Sequence, residues 1–297
     1  NPPNLAGIVA AKNNLPDVPQ IAVFDTAFHQ TMPAEAYTYA VPRSWIDEYG
    51  VRRYGFHGTS HLYVSRMVAK RLNRPVKDLK IITCHIGNGV SVSAIQNGVS
   101  IDTSMGLTPL EGAIMGTRSG DIDPGVITYI HAQTEQPFEH ILDALNKKSG
   151  MLGLTGHSDL RDIEDGFMKK DPVCTKALEA YSYRLKKYIG AYAAAMNGVD
   201  VIVWTAGVGE NSPIIRRMVH EHMDYLGVKL DLEANEKTWR GVEGFITTED
   251  SPVKVAVVST NEERIIIEDT VALLEGRSPA EPNFRYSFEN GTLAATR

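Results

Sequence analysis

Asp200-Val-Ile-Val-Trp-Thr-Ala-Gly-Val-Gly-Glu-Asn-Ser-Pro213 is the stretch on which the fold turns. Asp200–Thr205 is an apolar, β-branched run of strand length, the pattern of a strand covered on both faces. Ala206–Asn211 interrupts it with two glycines. Ser212 then caps a helix and Pro213 occupies its first position, where no amide donor is needed. That helix is expected to run to about Leu226. Strand, glycine turn and helix in this order form the arrangement that cradles phosphate. It is not a P-loop, because no Gly-Lys-Ser/Thr follows, and its Gly-x-Gly lacks the third glycine of the dinucleotide fingerprint.

Two further segments repeat the theme. Lys80–Cys84 is β-rich and leads into His85-Ile-Gly-Asn-Gly89, followed by Val90–Ile95, the turn Gln96-Asn-Gly98 and Val99–Thr103. Asn-Gly between alternating apolar residues signals a hairpin, so His85–Gly89 is a glycine turn whose backbone suits phosphate oxygens. Lys254–Ser259 is another apolar strand, and Thr260-Asn-Glu262-Glu263 opens a helix to about Leu274. Thr260 with Glu263 matches a capping box, which leaves Glu262 free for other work.

Toward the amino end, Leu5–Asn13 reads as a short helix and Gln20–Phe24 as a compact strand ending in Asp25. A carboxylate just past a buried strand is where open α/β sheets place ligand groups; a turn or helix cap is the competing reading. Gln30–Pro42 reads as an irregular connection. Arg53-Tyr-Gly-Phe-His57-Gly-Thr-Ser-His61 opens a helix to about Leu72, with Thr59 or Ser60 as its cap. His57 and His61 sit four apart, but without the Glu of the zincin pattern or a third ligand they do not make a zinc site. A histidine donating to phosphate or carboxylate is the better reading of His57, and a satisfied structural role competes for His61.

The middle of the chain holds helices at Ile127–His131 and Phe138–Lys147, a loop at Gly150–Gly156 and a polar cluster at His157–Asp162. A long helix spans Thr175–Met196, where Ala177, Tyr181, Leu185, Ile189, Tyr192 and Met196 recur at helical spacing. Strands alternating with helices, with glycine turns after the strands, predict an α/β fold whose turns face one cleft.

Met115-Gly-Thr-Arg-Ser-Gly-Asp-Ile-Asp-Pro-Gly125 cannot build a core. Its glycines admit close backbone approach, and Arg118 between small residues can present a planar fork of donors to an anion. Taken alone, this reading is level with a surface loop whose Arg118 pairs with Asp121 or Asp123.

The 297 residues are 43% hydrophobic and 22% charged, a globular profile that allows one or two domains. A net charge of −6 with pI near 5.9 argues against a general nucleic-acid or membrane-surface binder. Cys84 and Cys174 cannot build a disulfide framework and suit a reducing compartment, with cytoplasm as the expectation. Asn1-Pro-Pro-Asn, with no strand before the first apolar segment, reads as a chain cut at its amino end. Residues 276–297 show little periodicity and are expected to be a disordered or non-native tail.

Together, Phe24-Asp-Thr-Ala-Phe-His-Gln-Thr-Met32, Tyr54-Gly-Phe-His-Gly-Thr-Ser-His61, His85–Gly89, Met115–Gly125, Thr205-Ala-Gly-Val-Gly-Glu-Asn-Ser212 and Thr260-Asn-Glu-Glu263 resemble the acetate kinase family, in family order, from Asn1 to about Leu274. The resemblance implies an actin-like, sugar-kinase ATPase fold, a homodimer, and magnesium-dependent, reversible transfer of the ATP γ-phosphoryl group to acetate or propionate. The family begins with a strand, a phosphate turn and a second arginine that are not present in this sequence. The expected division is therefore 1–27 as the inner end of an amino-terminal domain and 28–259 as the nucleotide-binding and dimerisation domain. Residues 260–275 would be a helix returning to the first domain. By resemblance, Asp25, His57 and Arg118 are catalytic, and Glu262 holds Mg2+. His85, Ile86, Gly87, Asn88 and Gly89 contact the nucleotide phosphates with Gly207, Val208, Gly209, Glu210 and Asn211. Asp159, Leu160 and Arg161 lie near ribose and base, and Phe56 and Pro109 wall the acyl pocket. The competing reading is a nucleotide-binding and dimerisation module that does no chemistry.

Overall fold

In the computed structural model, which describes residues 2–281 and 284–290, the chain opens with α1 (Pro2–Asn14), α2 (Ala34–Tyr37), α3 (Arg43–Tyr49) and α4 (Gly58–Arg71). Strands β1 (Lys80–Ile86), β2 (Val90–Gln96) and β3 (Val99–Thr103) follow, and then α5 (Gly125–Thr134), α6 (Phe138–Lys147), α7 (Gly150–Thr155), α8 (Leu160–Met168) and α9 (Pro172–Ala195). The last third holds β4 (Val201–Thr205), α10 (Ala206–Asn211), α11 (Pro213–His220), α12 (Leu232–Lys237), β5 (Gly244–Phe245), β6 (Lys254–Val257) and α13 (Glu262–Leu274).

The strands form one mixed sheet in the order β3-β2-β1-β4-β6-β5. β1, β4 and β6 run parallel, while β2, β3 and β5 are antiparallel to their neighbours. Asn97 and Gly98, both at positive φ (57° and 79°), make the tight β2–β3 hairpin that Asn-Gly specifies. On one face the sheet packs against α9, whose stripe Ala177, Leu178, Tyr181, Leu185, Ile189 and Tyr192 joins Ile82, Cys84, Val90 and Val92 in one core. Asp171 starts that helix by accepting from the amides of Val173 and Cys174, with Pro172 at its first position. On the other face α4 contributes Val64 and Val68 to a second core with Ile81, Val201, Val203 and Ile265. Helices on both faces of a sheet of this kind are the arrangement that the alternating pattern demands.

Several expectations are corrected. Gln20–Phe24 is not a strand: among the described residues no strand lies beside it, and Phe24 is 66% exposed, so extended backbone there has no ladder to join. Gly150–Gly156 is helical as α7 rather than loop, and Ala206–Asn211 is the short helix α10 rather than an open turn. The helix from Pro213 stops at His220, and a separate 3-10 turn holds Asp224–Leu226. Neither Thr59 nor Ser60 caps α4; His57 is the capping residue, with no side-chain cap. Nor does Thr260 cap α13. Asn261 does, by accepting from the Arg264 amide at 3.0 Å, so Glu263 belongs to no capping box. The tail also departs from expectation. Tyr286 and Phe288 are buried, with Phe288 on Tyr63 and Tyr286 donating to Asp269 at 2.9 Å; residues 291–297 lie outside the described residues.

Candidate active site

Because β1, β4 and β6 are parallel, their carboxyl ends meet on one edge, where open α/β sheets bind ligands. Three of the singled-out segments leave from that edge: His85–Gly89 from β1, Ala206–Asn211 from β4 and Thr260–Glu262 from β6. α4 brings His57 to the same place. His57 has a left-handed backbone (φ 55°, ψ 29°), a strained conformation for a non-glycine residue that its surroundings must enforce. Asp25 enforces it: its Oδ2 accepts from the His57 amide at 2.7 Å, and its carbonyl accepts from the Gly58 amide at 2.8 Å. The reading of Asp25 as a cap is thereby correct in part, since one carboxylate oxygen is spent on backbone.

Arg118 comes from the far side. Its loop is held by main chain: the Met151 and Leu152 amides of α7 donate to the Met115 and Gly116 carbonyls at 2.9 Å, and the Ser149 amide donates to Thr117 at 3.0 Å. The surface-pairing reading fails. Asp121 accepts from the Gly112 amide and from Tyr188, and Asp123 accepts from the Gly125 amide. Among the described residues Arg118 has no carboxylate partner, only the Pro109 carbonyl at 3.4 Å and Met115 Sδ at 3.6 Å. A Cβ on Gly89 would stand 3.3 Å from Arg118 Nη1, 3.3 Å from His57 Cε1 and 3.4 Å from His57 Nε2. The guanidinium and the Nε2 edge of the imidazole therefore converge over Gly89. Asn88 docks this turn on the arginine loop, its carbonyl accepting from the Gly116 amide at 3.0 Å.

Beneath them lies a cluster that the sequence reading did not assemble. His57 and His85 stack at 4.0 Å between centroids and 20° between planes, and His29 and His61 lie edge-on nearby. Each ring is held by hydroxyls: His29 by Ser100, His57 and His61 by Ser91, His61 also by Thr83, and His85 by Ser60. Burial lowers all four, His57 to about 3, where the adjacent His85 ring adds to the effect. His85 and His29 fall to about 4 and His61 well below its ordinary value. All four imidazoles are neutral at pH 7. The available signal was the alternation of Thr83, His85, Ser91 and Ser93 with apolar residues along β1 and β2, which puts one hydroxyl-rich stripe on the α4 face.

The α10 segment offers mostly backbone. Glu210 turns back to accept from the Ala206 amide at 2.8 Å, and Asn211 donates to the Gly207 carbonyl and accepts from the Arg240 amide. Both side chains brace the segment, while Gly207 is open, with nothing within 4 Å of a built Cβ. Behind it stands Arg216, fully buried. It donates to the carbonyls of Gly209 and Glu210 and to Asn235 and Thr238. Burial lowers it only to about 10, so it is charged and satisfied chiefly by carbonyl dipoles. Arg216→Met is expected to destabilise the fold by about 3 kcal/mol, because it strands those buried acceptors. Urea denaturation tests this, and an unchanged midpoint would refute the clamp.

The remaining candidates divide. Phe56 packs on the first core and its carbonyl accepts from His29 at 2.9 Å, while the Pro109 carbonyl lies 3.4 Å from Arg118 Nη1. Glu262 accepts from Thr59 at 2.6 Å. Asp159 and Arg161 are not drawn into the cluster: Asp159, half-exposed, caps α8 and pairs with the exposed Arg161, and Leu160 faces the core. Among the described residues no group of three or more His, Cys, Asp or Glu side chains is placed to hold a metal.

The chain matches the family model described as the Acetokinase family over residues 1–268. It is 58% identical over 277 residues to the acetate kinase of Thermotoga maritima, covering 93% of this chain and 69% of that protein. Among solved structures, Porphyromonas gingivalis acetate kinase superposes with a TM-score of 0.88 at 49% identity, over 92% of this chain and 69% of that one. A propionate kinase from Francisella tularensis superposes at 0.83 and 42% identity, over 88% and 66%. The mixed sheet is accordingly that of the actin-like, sugar-kinase ATPase fold. On sequence and fold together, the chain belongs to the acetokinase family.

Proposed function

We propose that the protein is a phosphotransferase with a carboxyl group as acceptor, moving the γ-phosphoryl group of ATP reversibly to acetate or propionate to give ADP and the acyl phosphate. The observation that carries this reading is the convergence of an Arg118 free of carboxylate partners and a neutral, half-buried His57 over Gly89. Phosphoryl transfer needs positioning and charge neutralisation more than covalent help from the protein. A carboxylate oxygen attacks phosphorus in line as the bond to the ADP oxygen breaks. Arg118 and the His57 Nε2 proton are donors to the equatorial oxygens, and Asp25 holds His57 and orients substrate.

The turns His85–Gly89 and Gly207–Asn211 take the nucleotide phosphates, largely through backbone. Asp159 and Arg161, with the backbone of the core-facing Leu160, approach the ribose and base, and Phe56 and Pro109 bound the acyl group. Acetate and propionate differ by one methylene, worth about 1–3 kcal/mol in such a wall. The noncatalytic alternative finds no support in the relatives compared above, which are kinases by name.

Magnesium fits the residues present. Mg2+ is typically held by one or two carboxylates with substrate phosphates and waters rather than by a protein cage. Glu262 offers a carboxylate with one oxygen on Thr59, and two residues before it Thr260 Oγ1 is buried without a partner among the described residues. When bound, the ion would neutralise charge on the phosphate oxygens. The homodimer and the cytoplasmic location rest on family membership and on two free cysteines. Residues 1–27 and 260–275 are assigned to a domain apart from 28–259. Residues 2–24 contain no buried side chain, and α13, although its Ile265 joins the second core, leaves Ile266, Ile267 and Val271 exposed.

The test is formation of acyl hydroxamate from ATP, Mg2+, hydroxylamine and acetate or propionate; no product from either acid refutes the proposal. Glu262→Gln should raise the magnesium concentration that gives half-maximal rate, while Glu263→Gln, exposed on α13, should not. Equal responses in the two variants would remove Glu262 from the metal site.

A further inference from the structure

Ser91 lies on β2 opposite His85 in the ladder and is completely buried. Its single hydroxyl lies 2.8 Å from His57 Nδ1 and 2.7 Å from His61 Nε2. At its far end His61 Nδ1 lies 2.7 Å from Thr83 Oγ1, and His61 and Thr83 are buried as fully as Ser91. The four groups form a line: Thr83, His61, Ser91, His57.

A hydroxyl carries one proton, and a neutral imidazole has one donor and one acceptor nitrogen. Ser91 cannot donate to both rings, and among the described residues its hydroxyl has no hydrogen-bond partner besides them, so its proton goes to one ring, it accepts from the other, and the whole line has a single direction. In one direction Thr83 donates to His61 Nδ1, His61 Nε2 donates to Ser91, and Ser91 donates to His57 Nδ1. That leaves the His57 proton on Nε2. In the other direction every bond reverses, and His57 presents a bare lone pair at Nε2. The Nε2 edge is the one that faces Gly89 and Arg118, where a phosphoryl group needs donors and repels lone pairs.

We propose that Ser91 is a positioning residue that, with His61 and Thr83 behind it, fixes His57 as the neutral Nε2–H tautomer and so supplies the second donor beside Arg118. The proposal rests on the reading of His57 as a group facing the transferred phosphoryl. A tautomer set by the hydrogen bond at the opposite ring nitrogen is a general property of histidine. Here the fixing partner is a hydroxyl, and the line is biased from its far end: among the described residues Thr83 Oγ1 has no partner but His61 Nδ1, so the Thr83 proton finds an acceptor only when it donates there. The stacked His85 is tied separately to Ser60, and His29 to Ser100, so neither competes for Ser91.

The experiment is nitrogen-15 histidine NMR on the intact protein near neutral pH, with His57 assigned by the signal lost in His57→Gln, alongside steady-state kinetics. The wild type is expected to show His57 with its proton on Nε2. Ser91→Ala should move population to the Nδ1–H form and lower kcat about 10–100-fold, the usual range for removing a group that orients an active-site ligand. KM for ATP should be little changed, and Ser91→Thr, which keeps the hydroxyl, should restore both signals. Should Ser91→Ala fail to fold, Thr83→Val interrupts the line from its far end and is expected to give the same spectral change. A wild-type His57 in the Nδ1–H form, or an Nε2–H form that survives both variants, overturns the proposal. A tautomer change with no loss of kcat overturns it as well, and in that case the fault lies with the placing of His57 at the phosphoryl group.

Discussion

Arg118→Ala is expected to lower kcat by ~10³-fold or more while leaving the denaturation midpoint where it was. The rate effect follows from what a guanidinium does in phosphoryl transfer: it meets charge that develops on the equatorial oxygens, and such arginines are worth about 10³–10⁵ in rate. The stability effect follows from the loop. Met115–Gly120 is held by amides of α7 and by Ser149, and Gly150, at φ 60°, brings α7 so close that a Cβ there would collide with the Met115 carbonyl. None of those contacts uses the Arg118 side chain. Arg118→Lys should recover little of the rate, because a point charge on a flexible stem does not reproduce a planar fork. Steady-state kinetics with a urea titration of the same preparations decides the matter. A lysine variant turning over near the wild-type rate would rule out bidentate stabilisation, and a large drop in midpoint would make Arg118 a structural residue.

The parts of this fold that were legible in the sequence are those in which local chemistry and tertiary packing agree. Phe138–Lys147 and the hairpin at Asn97-Gly98 appear where periodicity and turn chemistry place them. So does Ser212 as the cap of α11, accepting from the Ile215 amide at 3.1 Å. Gln20–Phe24 failed because an apolar β-branched run names a strand only if a neighbour exists to bond it, and periodicity does not report neighbours. Glycine misled in the other direction. Gly150, Gly207 and Gly209 read as loop, yet each belongs to a short helix; only at Gly150 does a close backbone approach, to the Met115 carbonyl, require the missing side chain, while a built Cβ on Gly207 meets nothing within 4 Å.

At the site, glycines and one charged residue per loop marked the right segments, but the network beneath them was not visible as a motif. Ser91, Thr83 and Ser100 are ordinary strand residues in sequence. Ser91 and Thr83 become histidine partners only because the β1–β2 register and the path of α4 bring them there, and Ser100, on β3, because the 3-10 turn Ala27–Thr31 sets His29 against it. Arg216 was hidden for a similar reason: on an amphipathic helix an arginine reads as surface, and its burial depends on carbonyls from α10 and α12 converging on it. Asp159 and Arg161 show the converse, a conspicuous pair whose side chains satisfy each other.

The histidine cluster should also make the protein unusually sensitive to mild acid. In the folded state burial holds His29 and His85 near 4, His57 near 3 and His61 well below its ordinary value, whereas each unfolded histidine titrates at 6.5. At any pH between those limits the unfolded chain binds more protons than the native one, so stability rises with pH across the window. The contribution is complete above pH 6.5 and is lost as pH falls toward about 4. Each such histidine is worth about 1.4 kcal/mol per pH unit inside the window. Four together should remove several kcal/mol between about pH 7 and about pH 5.5, with Asp25 offsetting a little by favouring protonated His57 and His29. The stacked His57–His85 pair sharpens the effect, since two imidazolium rings 4.0 Å apart would repel. Urea unfolding at a series of pH values gives the proton difference directly from the slope. A slope corresponding to more than two protons near pH 5.5 is the expected result. A flat profile would mean that the cluster relaxes and admits water before it titrates, and the neutral His57 required at the phosphoryl group would lose its physical basis.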